Sequence, residues 1–201
     1  MEKALHSEAP KPNADVIRER LGARSIALVG MPGSGKSSIG RRLAPRLALP
    51  FIDSDAMIEE AAGGMSIADI FAKHGEGEFR SLEARVIARL IDDGPSVIST
   101  GGGALLNEAT RDLLRDRAIT VWLKAEIAVL MRRVRRKSDR PLLAGKDPEE
   151  TLKKLLSERE VLYAGARIVV TSREGPHETV VDSIIDAIER ELCDEPVRRP
   201  Q

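Results

Sequence analysis

Residues 25–37, SIALVGMPGSGKS, decide the fold of this chain. An apolar run of strand length, 25–29, leads into residues 30–37, which match the pattern G-x-x-x-x-G-K-[ST] in full. Glycines in such a loop let backbone N–H groups face phosphate oxygens, and the N-terminus of the next helix adds partial positive charge. We expect Lys36 to reach the β- and γ-phosphates and the Ser37 hydroxyl to ligate Mg²⁺. The stretch therefore predicts a site for a nucleoside triphosphate.

Strands and helices alternate along the rest of the chain, which indicates βαβ units and a mainly parallel sheet. The predicted strands are 25–29, 51–53, 96–100, 119–123 and 167–170. Helices are predicted between a cap at Asn13 and Gly22, over 37–47, from the second strand to 63–64, from 66, over 76–90 and 107–115, from 126, over 148–163 and over 177–192. We therefore predict an α/β fold of three layers, α/β/α, around a five-stranded parallel sheet.

The composition excludes several classes of function. The chain has 201 residues, enough for one domain, and its 32 Lys and Arg residues balance 32 Asp and Glu residues. Zero net charge argues against bulk binding to nucleic acid or membrane, and 2% aromatic residues argue against a platform for stacking bases. The single cysteine, Cys193, excludes an internal disulfide and a multi-cysteine metal site. Without a signal-like or membrane-spanning apolar run, we expect a cytoplasmic monomer.

Acidic residues follow the second predicted strand directly. Asp53 and Asp55 should lie on the same edge of the sheet as the phosphate loop, because ligands bind beyond the carboxyl ends of parallel strands. One carboxylate could then serve the metal while the other holds an acceptor hydroxyl. The alternative is that either residue only caps the helix that begins there.

Two further segments point to a second substrate. Arg80 and Glu83 share a helix face, a spacing that by itself is typical of a surface ion pair. Gly101, Gly102 and Gly103 follow a strand, where three glycines suit a backbone that approaches a ligand closely, or only a flexible turn.

Six cations lie between residues 132 and 140. An RNA-binding patch, a solvated helix face and a mobile lid whose arginines fold over phosphates are all consistent with this basic run. Pro141 and Gly145 favour the lid, because Pro141 stiffens the backbone after Arg140 and Gly145 offers a hinge.

Together these segments resemble the shikimate kinases, in the nucleoside-monophosphate-kinase-like group of P-loop proteins. The resemblance covers about residues 25–190 and depends on the order of seven motifs. They are GMPGSGKSS at 30–38, FIDSDAMIE at 51–59, SIADIF at 66–71, GEGEFRSLE at 75–83, STGGGA at 99–104, RPLLAG at 140–145 and SEREVLY at 157–163.

The resemblance implies transfer of the γ-phosphoryl group of ATP to the 3-hydroxyl of shikimate, in the biosynthesis of chorismate and aromatic amino acids. It implies a shikimate-hydroxyl ligand at Asp55, carboxylate clamps at Arg80 and Arg159, and backbone contacts at 101–103. It also implies that Asp53 supports Mg²⁺ through water. The nucleotide contacts that it implies are Gly33, Ser34, Gly35, Lys36, Ser37, Ser38, Arg133, Arg136, Arg140 and Arg173. Lys36, Asp55 and Arg140 are then the expected catalytic residues.

Two assignments stay open within the resemblance. Either Arg133 or Arg136 could be the second lid arginine, and either Arg173 or Glu174 could lie at the adenine. We expect residues 1–24 to be a partly disordered extension, 25–192 to be one domain, about 55–90 to bind the acceptor, about 137–147 to be the lid and 193–201 to be a tail. The rival functions are a gluconate or nucleotide kinase of this fold, and a nucleotide-binding regulator or RNA-associated P-loop protein.

Overall fold

The fold is a five-stranded parallel sheet between two layers of helices, which confirms the predicted architecture. The computed structural model describes residues 14–135 and 148–194. Its strands are β1 (Ser25–Val29), β2 (Phe51–Asp53), β3 (Val97–Ser99), β4 (Ala118–Lys124) and β5 (Ile168–Thr171), in the order β2-β3-β1-β4-β5. The order reverses beside β1, so the crevice at the carboxyl ends of the strands opens next to the phosphate loop.

The helices follow the strands in the predicted alternation. They are α1 (Ala14–Leu21), α2 (Lys36–Arg46), α3 (Ser54–Ala61), α4 (Ile67–Asp92), α5 (Glu108–Arg117), α6 (Ile127–Arg135), α7 (Pro148–Tyr163) and α8 (His177–Asp194). No helix in the two described stretches is long and apolar enough to cross a membrane.

Alternate residues of each central strand face opposite layers. Ile26 and Leu28 of β1 pack with α1, α2 and α8, whereas Ala27 and Val29 pack with α3, α4, α5, α6 and α7. All five residues of β1 are buried, as a strand covered by helices on both faces requires. This rigid centre holds the phosphate loop, which leaves β1 at its carboxyl end.

The two helices expected from 66 and over 76–90 are both present within α4, where Gly75, with a φ of 78° and a ψ of 173°, leaves the helical conformation and separates them. The structure differs from the sequence-based expectation in two other places. A short 3₁₀ helix, Ala104–Leu106, follows the glycine triplet and was not predicted. Helix α1 lies inside the expected extension, but Ile17 and Leu21 are each only 1% exposed and belong to the core.

Candidate functional site

An open cleft of about 1540 Å³ lies at the carboxyl ends of the strands. The phosphate loop and the start of α2 form one end, and the beginnings of α3 and α4, the glycine triplet and α7 form the other. Of the residues predicted for the site, the lining includes Gly33, Gly35, Lys36, Ser37, Ser38, Asp55, Arg80, Gly101, Gly102, Gly103, Arg133 and Arg159. Residues from six separate segments of the chain therefore share one cavity.

The phosphate loop has the backbone shape that its glycines allow. Gly33 and Gly35 have φ values of 88° and 101°, in the region that side chains other than glycine rarely enter. The Lys36 ammonium donates to the carbonyls of Gly30 at 2.8 Å and Met31 at 3.0 Å. Lys36 is only 8% exposed, so the loop holds its cation beside the open cavity. Ser34 is fully buried, and its Oγ has no hydrogen-bond partner among the described residues.

Oxygen ligands suited to a hard cation lie next to that loop. The Ser37 Oγ lies 3.1 Å from Ser99 Oγ, and Ser99 pairs in register with Asp53 on the neighbouring strand. The Ser37 hydroxyl thus contacts the strand neighbour of Asp53, and Mg²⁺ prefers one or two hydroxyl or carboxylate ligands together with phosphate oxygens. The described residues contain no group of three or more acidic, histidine or cysteine side chains that could hold a metal by themselves.

The two aspartates after β2 have different positions. The Asp53 carboxylate caps α3, because Oδ1 accepts a hydrogen bond of 3.3 Å from the Asp55 backbone N–H. The side chain of Asp55 instead lines the cleft, with its Oδ1 close to Gly101. The capping alternative that the sequence left open therefore describes the contact that Asp53 makes.

Arg133 connects the phosphate loop to the segment after β5. Its guanidinium donates to the Ser34 carbonyl at 3.1 Å, to Ser172 Oγ at 2.9 Å and to the Arg173 carbonyl at 2.9 Å. Burial lowers the pKa of Arg133 from its ordinary value, and Glu174 opposes that change. The exposed Arg173 contributes a backbone oxygen, whereas Glu174 lines the cleft and forms an ion pair with Arg132 at 2.7 Å.

The pair Arg80 and Glu83 is more buried than its helical spacing suggests. Arg80 Nη1 lies 2.7 Å from Glu83 Oε2, with the two side chains 15% and 2% exposed. Glu76 holds the other side of the guanidinium at 3.1 Å. Burial raises the pKa of Glu83 above its ordinary value, while Arg80 lowers it. The second oxygen of Glu83, Oε1, has no partner in the described part of the chain.

Crowding explains the glycine triplet. A Cβ on Gly101 would lie 2.5 Å from Glu83 Oε1, and a Cβ on Gly102 would lie 2.7 Å from Pro32 Cδ. A Cβ on Gly103 would collide with the Arg80 guanidinium. Close approach of neighbouring groups thus accounts for the glycine triplet, most firmly at Gly102, where the neighbour is the Pro32 ring and not the end of a flexible side chain.

Helix α7 holds the triplet from the other side. Arg159 Nη1 donates to the Gly102 carbonyl at 2.9 Å, and the Tyr163 hydroxyl donates to the same oxygen at 2.5 Å. Arg159 is 5% exposed, and its Nε is buried without a partner in the described ranges. Arg80 and Arg159 therefore flank the triplet as two nearly buried cations.

Sequence reasoning missed four residues in or beside this cleft. Glu83 was visible only as half of a helix pair, and Tyr163 only through its spacing of four from Arg159. Pro32 lies inside the phosphate motif at a position that the motif leaves free. His177 lines the nucleotide end, and burial, with Arg42 and Arg133, lowers its pKa.

Some of the predicted site lies outside the described residues. This holds for Arg136, Arg140 and the expected lid at 137–147, as it does for residues 1–13 and 195–201.

Comparison with known proteins gives one family. A family model described as shikimate kinase matches residues 32–189. The shikimate kinase of Bradyrhizobium diazoefficiens is 54% identical over 94% of this chain and 90% of its own length. That of Nitrobacter winogradskyi is 57% identical over 86% of this chain and 80% of its own length.

Solved structures give the same result. The shikimate kinase of Acinetobacter baumannii in complex with shikimate has a TM-score of 0.82 and 34% identity, over 89% of this chain and 98% of that one. A gluconokinase from Sinorhizobium meliloti has a TM-score of 0.57 and 23% identity, over 86% of this chain and 95% of that one, which shows a shared fold alone.

Proposed function

The chain belongs to the shikimate kinase family, so it transfers the γ-phosphoryl group of ATP to the 3-hydroxyl of shikimate, and we propose that the residues gathered in the cleft carry out this transfer. The products are shikimate 3-phosphate and ADP, on the route to chorismate and the aromatic amino acids. The observation that carries the assignment of residues is the pair of nearly buried arginines, Arg80 and Arg159, on either side of a glycine triplet that shares one cavity with the phosphate loop.

Shikimate carries a carboxylate and hydroxyls, and the acceptor end of the cleft offers a partner for each. Arg80 and Arg159 suit the carboxylate, because guanidinium groups bind carboxylates through two parallel hydrogen bonds. Asp55 lines the cleft beside Gly101, where it accepts a hydrogen bond from the reacting 3-hydroxyl of shikimate and orients that oxygen. Gly101, Gly102 and Gly103 let the substrate approach the backbone between these groups.

The residues at the other end suit ATP and Mg²⁺. Gly33, Ser34, Gly35, Lys36, Ser37 and Ser38 surround the phosphates. Ser37 and Asp53 fit a magnesium ion, since they offer a hydroxyl and a carboxylate on either side of Ser99. When bound, Mg²⁺ neutralises negative charge on the β- and γ-phosphates. Of the two candidates for the second lid arginine, Arg133 contacts the phosphate loop, through the Ser34 carbonyl. The contribution of Arg136, Arg140 and Arg173 to ATP binding stays a prediction.

Phosphoryl transfer depends mainly on the position of the reacting atoms and on the charges around them. Phosphoryl transfer needs an acceptor oxygen in line with the γ-phosphorus and cations around the oxygens that gain charge. Lys36 supplies one such cation from a fixed loop. Asp55 holds the proton that leaves the 3-hydroxyl as the new P–O bond forms, and the bond from the γ-phosphorus to the bridging oxygen of ADP breaks. A closing lid at 137–147, which stays a prediction, would keep water from replacing shikimate as acceptor.

Acceptor selectivity tests this proposal. Purified protein with ATP and Mg²⁺ should release ADP when shikimate is added, and should release little with gluconate or a nucleoside monophosphate. The product should carry its phosphate at the 3-position by phosphorus NMR. Equal turnover of gluconate would contradict selectivity for shikimate, and turnover with no acceptor would indicate an ATPase. Monomeric state and cytoplasmic location remain predictions from the sequence.

A further inference from the structure

Tyr163 lies at the end of α7, where it contacts both halves of the cleft. Its hydroxyl donates to the Gly102 carbonyl at 2.5 Å and lies 3.9 Å from the sulfur of Met31 in the phosphate loop. The side chain is 2% exposed, and its ring lies 5.9 Å from that of Trp122, centre to centre. The ring is thus part of the core, whereas the hydroxyl ends at the substrate loop.

Two donors share one acceptor at Gly102. The oxygen of a carbonyl has two lone pairs, and here Arg159 Nη1 and the Tyr163 hydroxyl occupy them together. The two donors differ in whether a role in binding the substrate is proposed for them. Arg159 has a proposed role in binding the shikimate carboxylate, and its Nε has no partner among the described residues. Tyr163 has no such proposed role, so its bond can persist while Arg159 changes partners.

We propose that Tyr163 is a positioning residue for shikimate binding, whose hydroxyl keeps the Gly102 carbonyl paired and the peptide between Gly102 and Gly103 fixed when Arg159 engages the substrate carboxylate. The inference rests on the proposed assignment of Arg159. Because a trans peptide is planar, fixing the carbonyl on the α7 side directs the N–H of Gly103 to the opposite side. The orientation of a backbone donor in the wall of the acceptor pocket is therefore set by a side chain that does not touch the substrate.

The chemistry of the hydroxyl suits this duty. Burial raises the pKa of Tyr163 to about 12, although the neighbouring Arg159 opposes the change. The hydroxyl thus keeps its proton, and its ability to donate, at pH values well below that pKa. A residue that lost its proton there would instead compete with the carbonyl for Arg159.

Removal of the hydroxyl tests the proposal. In Tyr163→Phe the ring packing is kept, and the Gly102 carbonyl depends on Arg159 alone. When shikimate binds, either the buried Gly102 carbonyl loses its last donor or Arg159 binds the shikimate carboxylate less well. We therefore expect KM and Kd for shikimate to rise about tenfold. The value of kcat should change less, because the contact is present before and during transfer, and Kd for ATP without shikimate should be unchanged.

Ser157→Ala is the matched control. It also removes one hydroxyl from α7, where the exposed Ser157 Oγ donates to the Lys154 carbonyl of its own helix. Its KM for shikimate should equal that of the wild type. If Tyr163→Phe lowers the melting temperature but keeps the wild-type KM, the hydroxyl is merely structural and the proposal is wrong. If the wild type does not phosphorylate shikimate at all, the proposed function fails instead.

Fluorine NMR is a second test, and it needs no substitution that could impair folding. Tyr163 is the single tyrosine of the chain, so growth on fluorotyrosine places one fluorine reporter at this ring without a substitution. Addition of shikimate alone should shift the single fluorine resonance as Arg159 changes its contacts beside the hydroxyl. A resonance that stays in place at saturating shikimate would overturn the proposal even if the Phe variant is unstable.

Discussion

The two ends of the cleft are built by different means. At the nucleotide end, we propose that the phosphates bind one continuous segment, residues 30–38, through its backbone and Lys36, while Arg133 and His177 line the same end from other segments. The acceptor end comes from side chains on α3, α4 and α7, held around the glycine triplet by two arginines and a buried glutamate. A phosphate site can therefore be carried by a short motif, whereas recognition of a small hydroxy acid requires several segments to meet. The two ends touch where Pro32 of the phosphate loop packs on Gly102.

The largest effect is expected at the nucleotide end. Lys36→Met removes the cation that the loop holds beside the phosphates, so turnover should fall on the order of 10³-fold or more. Steady-state kinetics with circular dichroism checks this, and Lys73→Met, an exposed site on α4, is the control. Near-normal turnover in a folded Lys36→Met variant would contradict the role of the lysine.

The second prediction separates the two ends. Arg80→Ala and Arg159→Ala should each weaken shikimate binding by about 2–5 kcal/mol, because each removes one partner of a desolvated charge pair. Kd for ATP without acceptor should barely change in calorimetric titrations. Arg80→Lys, which keeps the charge without the planar fork, should lie between the Ala variant and the wild type. Loss of ATP binding with retained shikimate binding would reverse the assignment.

The third prediction concerns the point where the two ends touch. Gly102→Ala places a methyl group 2.7 Å from Pro32 Cδ, so the two loops must separate. Overpacking of this kind costs about 1–3 kcal/mol, and here it should raise the KM values of both substrates. Gly77→Ala is the control, because a Cβ there meets no atom within 4 Å. A Gly102→Ala variant that loses affinity for shikimate alone would mean that the two loops move independently.

The smallest expected effect is a dependence of stability on pH. Burial raises the pKa of Glu83 in the folded state, so the folded protein binds more protons than the unfolded chain above the ordinary value of 4.5. Ionisation of Glu83 therefore lowers the free energy of unfolding as pH rises from 4.5 through the folded-state pKa. In Glu83→Gln that contribution is absent, so the variant should gain stability relative to the wild type across this window. Urea unfolding at a series of pH values measures the difference, and a constant difference would contradict the prediction.

The contrast between the two ends also explains what could be predicted from sequence. The phosphate loop is local, so its motif predicted the strand, the turn and the helix together. The resemblance also named Asp55, Arg80 and Arg159, which the structure brings into one cavity. Glu83 could not be identified as a buried partner, because a spacing of three gives the helix face but not what covers it. The break between the two helices of α4 was predicted, and the structure places it at Gly75.

Helix α1 has a consequence for how the chain folds. Arg20 Nη1 donates to the Leu192 carbonyl of α8 across 172 positions of sequence, and Ile17 and Leu21 are buried beside that contact. Closing so long a loop reduces chain entropy before the contact forms, so α1 should dock after the sheet has assembled. The same contact is the first that can open by fraying, and amide exchange should therefore be faster in α1 than in β1. The two ends of the described chain thus meet in a contact that forms late in folding. This contact lies at the amino ends of the strands, away from the cleft.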